Sequence, residues 1–466
     1  MGAAVYLDEM MILVLPLILL LLLATVADFK MVFLGIFCLL PISMELELPG
    51  GLGTDFPSEP LMVYLMLCLI LYVSGNPRKI DYKFYNHPMT QLLLLHFAWI
   101  GVSALFAQYF LISFKFFLAK TWYIATFYFL VGMFIKKAKD YIPAFWGILL
   151  PLMMVAVYAM LIHSTYGFDF EDVNKTMRPF FRNHVDYAVM LALMVPFMMA
   201  VRKWYPFGKI PRFTINIGFV IVLLGIFFAY TRAAYISLLL IPIAYFIFNH
   251  RVIKTAITIG LMALVFGLSF FIVGNNYLNY APDFESTIYH TDLDDHLSAT
   301  VQMKDVSTVE RFHRWIAGIK MSNDKMLTGF GPSNFYHFYK SYTTSLFETY
   351  VSDNEEQSTV HNYFLLVLIE QGWPGFLIFM AMVIYFFIWG ERVLHQTRDE
   401  RDKQLAMAIL ICQLLIMANL FMADLIETDE IGSLFFINMA ILVNLDLQNQ
   451  REMKNIEKKA TIVEEC

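Results

Sequence analysis

Charge is what this sequence has least of. Of 466 residues only 15% are Asp, Glu, Lys or Arg, against 59% hydrophobic and 16% aromatic. Soluble domains carry about a quarter charged residues, so this balance excludes an ordinary globular protein and predicts a polytopic membrane chain. Cysteine is scarce as well. Three of the four, Cys38, Cys68 and Cys412, fall inside apolar runs, and Cys466 ends the chain. With no pair in a loop, neither a disulfide framework nor a cysteine zinc site is on offer. The chain has no internal repeat, no low-complexity linker and no Walker-type glycine loop, so energy for chemistry or transport must arrive with the substrate or an ion gradient. Lys and Arg are missing from the first eleven residues. That leaves no basic region of a signal peptide, and a retained first helix with its N-terminus outside is expected.

What the sequence does have is long apolar runs. A membrane helix needs about 20 such residues. Runs at 10–27, 31–44, 60–74, 89–108, 116–135, 143–162, 184–201, 213–230, 232–249, 252–273, 374–390, 404–423 and 431–446 qualify or nearly do. The first two are separated only by "DFK" and read as a hairpin or as one broken helix. The expected fold is an all-α polytopic membrane protein with about 12–13 transmembrane helices and one large outer loop holding short amphipathic helices. In domain terms, 1–273 would hold helices 1–10, 274–373 the loop with its active-site helices, 374–446 the C-terminal spans and 447–466 a cytoplasmic tail.

Lys and Arg collect in "NPRKIDYK", "KKAKD", "VRKWYPFGKIPR", "NHRVIK", "ERVLHQTRDERDK" and "REMKNIEKK". The loops alternating with them include "MELELPGGLGTDFPSEP" and "DLIETDE", acidic and free of basic residues. The positive-inside rule makes the first set cytoplasmic and the second external. The large loop carries twice as many acids as bases, so it is no nucleic-acid surface.

Against that acidic exterior a few cations stand out. Lys115 and Lys120 flank one span, Arg178 and Arg182 stand in "MRPFFRNHVDYA" beside His184, Arg232 marks the join between two spans, and Arg311 and Arg314 lie in "RFHRW". Singly, each reads as a snorkelling or helix-capping charge. Together they suit a phosphate or diphosphate, which guanidinium groups bind bidentately at any working pH.

Within the loop, "VSTVERFHRWIAGIKMSNDKMLTGFGPSNF" reads as one amphipathic helix followed by a glycine turn, with Val309, Phe312, Ile316 and Ile319 on one stripe, leaving Arg311 beside the apolar face. The segment after it, "STVHNYFLLVLIEQGWPG", reads as a helix opening at His361, capped by Ser358 or Thr359 and ending at Gly372 before Pro374 restarts a span. A histidine near the bilayer and beside cations stays neutral and keeps a nitrogen free to act as a base. Taken alone, a histidine so placed is more often structural. Asn362 and Glu370 are candidate orienting groups, with Glu370 equally able to pair with a cation. A metal reading attaches to His290, Asp292, Asp294, Asp295 and His296 in "YHTDLDDH", against which stands the ordinary solvated loop tip.

In order and spacing, "TRAAYISLLL", "RFHRW", "LTGFGPSNF" and "HNYFLLVLIEQGWPG" resemble the O-antigen ligase and polymerase family. Two positions depart from it: Arg314 stands where an apolar residue is usual, and Met326 replaces a proline before the glycine turn. The resemblance implies a metal-independent, inverting membrane glycosyltransferase of the GT-C type, without cofactor, in the bacterial inner membrane and with a periplasmic active site. It implies that Arg232 and Arg311 hold the diphosphate of an undecaprenyl-diphosphate-linked glycan and that His361 acts at the acceptor hydroxyl. Arg178, Arg182, His184, Arg314, Asn362, Glu370 and Lys115 rank second. The acceptor expected is lipid A core, which makes a ligase. A growing glycan would make a polymerase, and a protein hydroxyl an O-oligosaccharyltransferase. A lipid-linked oligosaccharide transporter, from another class, would also use external arginines, but it should carry ionisable residues deep in its spans.

Overall fold

The computed structural model describes residues 14–48, 52–76, 81–280, 306–348, 352–354 and 357–464. Among them are twelve helices long and apolar enough to cross a membrane. The helices are α1 (Val14–Leu39), α2 (Ser58–Gly75), α3 (Pro88–Leu105), α4 (Phe110–Tyr123), α5 (Ala138–Thr165), α6 (His184–Lys203), α7 (Ile210–Phe228), α8 (Arg232–Asn249), α9 (Ile253–Ile272), α10 (Val306–Asp324), α11 (Tyr363–Gln396), α12 (Glu400–Asn419) and α13 (Asp429–Glu464). Only α10 is too polar to span. A π-helix at Ile124–Leu130 carries α4 on to Phe134. The chain is an all-α, multi-pass membrane protein. A single antiparallel hairpin, β1 (Met44–Leu48) with β2 (Leu52–Phe56), stands outside the helices among the described residues.

The two short N-terminal runs belong to one helix, broken where Asp28 leaves helical geometry at φ −157° and ψ 93°. The expected external N-terminus falls on residues outside the described set, as does the whole of Tyr289–His296.

Burial ranks the helices. The span windows of α13, α6 and α12 are 94%, 83% and 72% buried, so these three form the inner column, while α9 is only 6% buried and stands at the rim. Lipid is as apolar as leucine, so packing alone gives little specificity in a bilayer and interhelical polar contacts supply more. Inside the column Asn438 donates to Gln413 at 3.1 Å, and Asn419 Nδ2 donates to Ser237 Oγ of α8 at 2.9 Å.

The basic loops all meet at one end of the bundle. His87 lies 3.1 Å from Asp446, Arg451 reaches Asp81 at 3.1 Å, Asp402 accepts from the Ala138 amide at 2.7 Å, Glu391 accepts from the Ile253 amide at 3.0 Å, and Trp204 donates to Gln404 at 2.9 Å. At the opposite, acidic end, Ser58 bridges Ser43 and Asp429, Tyr230 donates to the Phe168 carbonyl, and the large 306–362 segment docks. The alternation read from Lys and Arg is therefore a physical separation of two ends.

Candidate active site

The acidic end is organised around a break in α11. Gly372 sits at φ 68° and ψ −175° within an otherwise helical run. The break exposes backbone groups, and the turn "LTGFGPSNF" takes them up: Phe330 N donates to Ile369 O at 3.0 Å, Gly331 N to Glu370 O at 2.9 Å, and Trp373 N to Met326 O at 2.8 Å. From α3, Ser103 Oγ donates to Thr328 O and Glu370 O, and Trp99 Nε1 donates to Gln371 O at 2.8 Å. The glycine turn and the helix break are thus one hydrogen-bonded unit. Met326 contributes only its carbonyl to that contact, so the missing proline leaves the turn intact.

Two glycines face one another across this unit. A Cβ on Gly329 would lie 2.3 Å from the Glu370 carbonyl carbon, and one on Gly372 would lie 2.3 Å from Leu327 O. Gly167 provides a control, with nearly the same φ of 67° against 66° at Gly329 but nothing within 4 Å of an added Cβ. Gly167→Ala should therefore cost only the left-handed penalty of about 1–2 kcal/mol. Gly329→Ala should add an overpacking cost of about 1–3 kcal/mol. Thermal unfolding of the solubilised variants measures the difference; equal losses would mean that the close approach at Gly329 is not a constraint.

Glu370 does not meet a cation. Its buried carboxylate accepts from the Ser333 amide at 2.8 Å and the Phe335 amide at 3.1 Å, so it ties down the far side of the same turn.

His361 immediately precedes α11. The cap is Asn362, whose side chain accepts from Leu365 N at 3.0 Å, so neither Ser358 nor Thr359 plays that part. His361 itself lies outside the helix at φ 53°. The reason is anchoring on both flanks: Tyr363 N donates to Leu420 O at 2.8 Å, and α10 grips the residues before it. Trp315 Nε1 donates to Val360 O at 3.0 Å, and Arg314 Nη1 donates to Ser358 Oγ at 2.7 Å and Thr359 O at 3.1 Å. Arg311 lies one helical turn before Trp315 on the same face. Burial, then the charges of Arg314 and Arg311, push the His361 imidazole down to a pKa of about 3. It is neutral at any physiological pH.

The buried face of α10 differs from the apolar stripe expected. Val309, Glu310, His313, Arg314, Ala317 and Met321 are buried, while Ile319 is exposed. The helix packs on the polar approach to His361 and on α11, where an added Cβ at Gly318 would come within 2.7 Å of Ile369, so its inner face must supply hydrogen bonds as well as carbon.

Arg232 opens α8 at the same end. The preceding Thr231 donates to His184 O at 3.2 Å, which joins the start of α8 to the start of α6. Farther along α8, Ser237 accepts from Asn419, the neighbour of the Leu420 that anchors Tyr363. The start of α8 is in this way tied to the segment that carries His361. His184 Nδ1 is engaged with Asn174 Oδ1 at 2.7 Å.

The remaining cations are placed differently. The Arg182 guanidinium forks onto Glu45 of β1, with Nη2 to Oε1 at 2.5 Å and Nε to Oε2 at 3.0 Å, and this pairing holds the Glu45 carboxyl below its ordinary pKa. Arg178 is exposed beside it. Buried Lys120 pairs with Glu427 at 2.8 Å. Lys115 is exposed on α4, two residues from Ser113, whose hydroxyl donates to Pro332 O. The structure brings Arg311, Arg314 and His361 together, ties Arg232 to them through α12, and gives Arg182 and Lys120 carboxylate partners of their own. Sequence reasoning missed Glu310, Trp315 and Ser103; a tryptophan next to an unexpected arginine was the one available signal.

Residues 217–380 match the family model described as O-antigen ligase, a span that contains Arg232, Arg311, His361, Asn362 and Gly372 and excludes Lys115, Arg178, Arg182 and His184. No curated protein matches the chain. With its twelve candidate spans, the chain is a multi-pass membrane protein whose segment 217–380, carrying the His361 site, is similar to the O-antigen ligase family.

Proposed function

We propose that this protein transfers a glycan from an undecaprenyl-diphosphate-linked donor to an acceptor hydroxyl at the acidic end of the bundle, taken as the periplasmic face of the inner membrane, and that the acceptor is lipid A core. The observation that carries this reading is the neutral imidazole of His361 set against Arg311 and Arg314 on α10. In the step proposed, the acceptor O–H gives its proton to the free nitrogen of His361 while its oxygen attacks the anomeric carbon. The bond from that carbon to the diphosphate oxygen breaks, and undecaprenyl diphosphate leaves with both electrons. A single displacement inverts the anomeric centre. Arg232 and Arg311 neutralise the charge that grows on the leaving diphosphate, which guanidinium groups can do without a metal. Chelator is accordingly expected to leave transfer unchanged; activity lost to chelator and restored by a divalent ion would instead promote the run from Asp292 to His296.

Deleting the gene tests the acceptor. Lipopolysaccharide should then lack O-chains on its core while lipid-linked chains accumulate. Chains of a single repeat on the core would point to a polymerase, and intact lipopolysaccharide with unglycosylated proteins to an O-oligosaccharyltransferase.

A further inference from the structure

We propose that the buried pair Glu310 and Arg314 is a positioning device for His361, not part of the diphosphate site. This inference rests on the reading of His361 as the base. Both residues are only 5% exposed, and buried charges persist only where they are paired and hydrogen-bonded. Arg314 Nη2 lies 3.6 Å from Glu310 Oε2, and the other Glu310 oxygen accepts from Ser352 Oγ. On its other arm Arg314 donates to Ser358 Oγ and Thr359 O. The pair therefore spans from Ser352 to the two residues that lead into Val360 and His361.

Three consecutive carbonyls on that approach are each held by a side-chain donor. Ser358 O accepts from Asn354 Nδ2 at 2.8 Å, Thr359 O from Arg314 at 3.1 Å and Val360 O from Trp315 at 3.0 Å. The backbone needs that hold. Asn354, Gln357 and His361 all sit at positive φ, 50°, 52° and 53°. Non-glycine residues stay in that region only when their surroundings over-determine them. Arg314 is the one charged donor among the three, and it directs its donors inward onto the turn. The family resemblance leads one to expect an apolar residue at this place. An arginine there fixes where the imidazole points and adds positive potential beside it.

Two cations bear on His361. Arg311 and Arg314 come from α10. Among the carboxylates, Glu310 is engaged with Ser352 and Arg314, Glu370 with the Ser333 and Phe335 amides, Asp424 with the Thr359 side chain, and Glu427 with Lys120. Removing Arg314 therefore leaves burial in place and removes one of the two cations that lower the imidazole pKa further.

The test uses the full chain in nanodiscs, with kcat and donor KM measured for wild type, Arg314→Lys, Arg314→Met and Ser358→Ala, and the His361 imidazole followed by NMR on histidine-labelled protein, its signal assigned with His361→Gln. Arg314→Lys keeps the charge and loses the fork, so kcat should fall by about 10²-fold, the loss expected when a reacting group is displaced by about 1 Å. Its donor KM and His361 titration should stay as in wild type. Arg314→Met should lower kcat and also move the His361 titration, and the acid limb of kcat/KM, upward by about one unit. Ser358→Ala removes one of the two Arg314 bonds, together with the Ser358 hydroxyl's bond to Asn354, without touching charge, and should lower kcat with donor KM unchanged even where Arg314→Met does not fold. Arg314 variants that raise donor KM and keep kcat would make Arg314 a donor ligand and overturn the proposal, as would variants with wild-type kcat and titration. If wild type itself transfers no glycan, the functional reading fails, while the NMR comparison still tests whether Arg314 governs His361.

Discussion

Replacing His361 by alanine is expected to remove about 10² to 10⁴ of the turnover, the usual contribution of a positioned general base, with donor binding retained. His361→Gln should be nearly as inactive, because an amide keeps size and a hydrogen-bonding group but takes no proton near neutral pH. The pH dependence carries the second half of the expectation. Burial with Arg314 and Arg311 lowers the imidazole to about 3, so the free enzyme holds its base form well below the ordinary histidine pKa of about 6.5. The sign follows directly: a lowered pKa keeps the neutral form as pH falls, and base activity is lost only in still more acidic solution. A bound diphosphate offsets the arginine charge, which raises the imidazole pKa and makes it a stronger base once the donor is in place. The acid limb of kcat, which reports the bound complex, should therefore lie at higher pH than that of kcat/KM, which reports the free enzyme. Rate measurements from acid to neutral pH at saturating and limiting donor separate the two; coincident limbs would mean that the arginines do not sense the diphosphate.

The second large effect belongs to Arg232 and Arg311. Arg232→Ala and Arg311→Ala should each abolish or nearly abolish donor use. Arg232→Lys should recover little, because the ammonium keeps the charge and loses the planar fork that bridges two phosphate oxygens. Removing one donor aimed at developing charge typically costs about 10²–10³ in kcat. By contrast Arg182→Ala should leave transfer close to wild type, since that guanidinium is already forked onto Glu45. Quantitative transfer assays with lipid-linked donor decide this; wild-type rates in Arg232→Lys would reduce Arg232 to a point charge or a structural residue.

The fold was largely legible because the bilayer imposes a simple rule on composition. Apolar runs gave the spans, and the alternation of basic and acidic loops anticipated the two ends that His87, Asp402 and Glu391 knit together on one side and Ser58 and Tyr230 on the other. The order of the helices inside the bundle was not legible. That α13, α6 and α12 form the inner column depends on interhelical contacts such as Asn419 with Ser237, which no period in the sequence reveals. At the proposed site, Arg311 and His361, singled out in the sequence, lie close together, and the break in α11 falls at Gly372 ahead of Pro374 as its glycine suggested. The face of α10 was misjudged because apolar periodicity assumes an apolar partner, whereas this helix packs on carbonyls and hydroxyls and buries Glu310, His313 and Arg314. The cap of α11 was displaced to Asn362 for a related reason: the Ser358 hydroxyl is committed to Arg314 and the Thr359 side chain to Asp424.

Transfer by the purified full-length protein in liposomes, given an undecaprenyl-diphosphate-linked glycan and lipid A core in the presence of chelator, tests the central claim most directly. The predicted result is a glycan joined to the core with inverted anomeric configuration, one undecaprenyl diphosphate released per bond formed, and no product with His361→Gln. Donor moved across the bilayer with no glycosidic bond formed, or product made at the wild-type rate by His361→Gln, would contradict it.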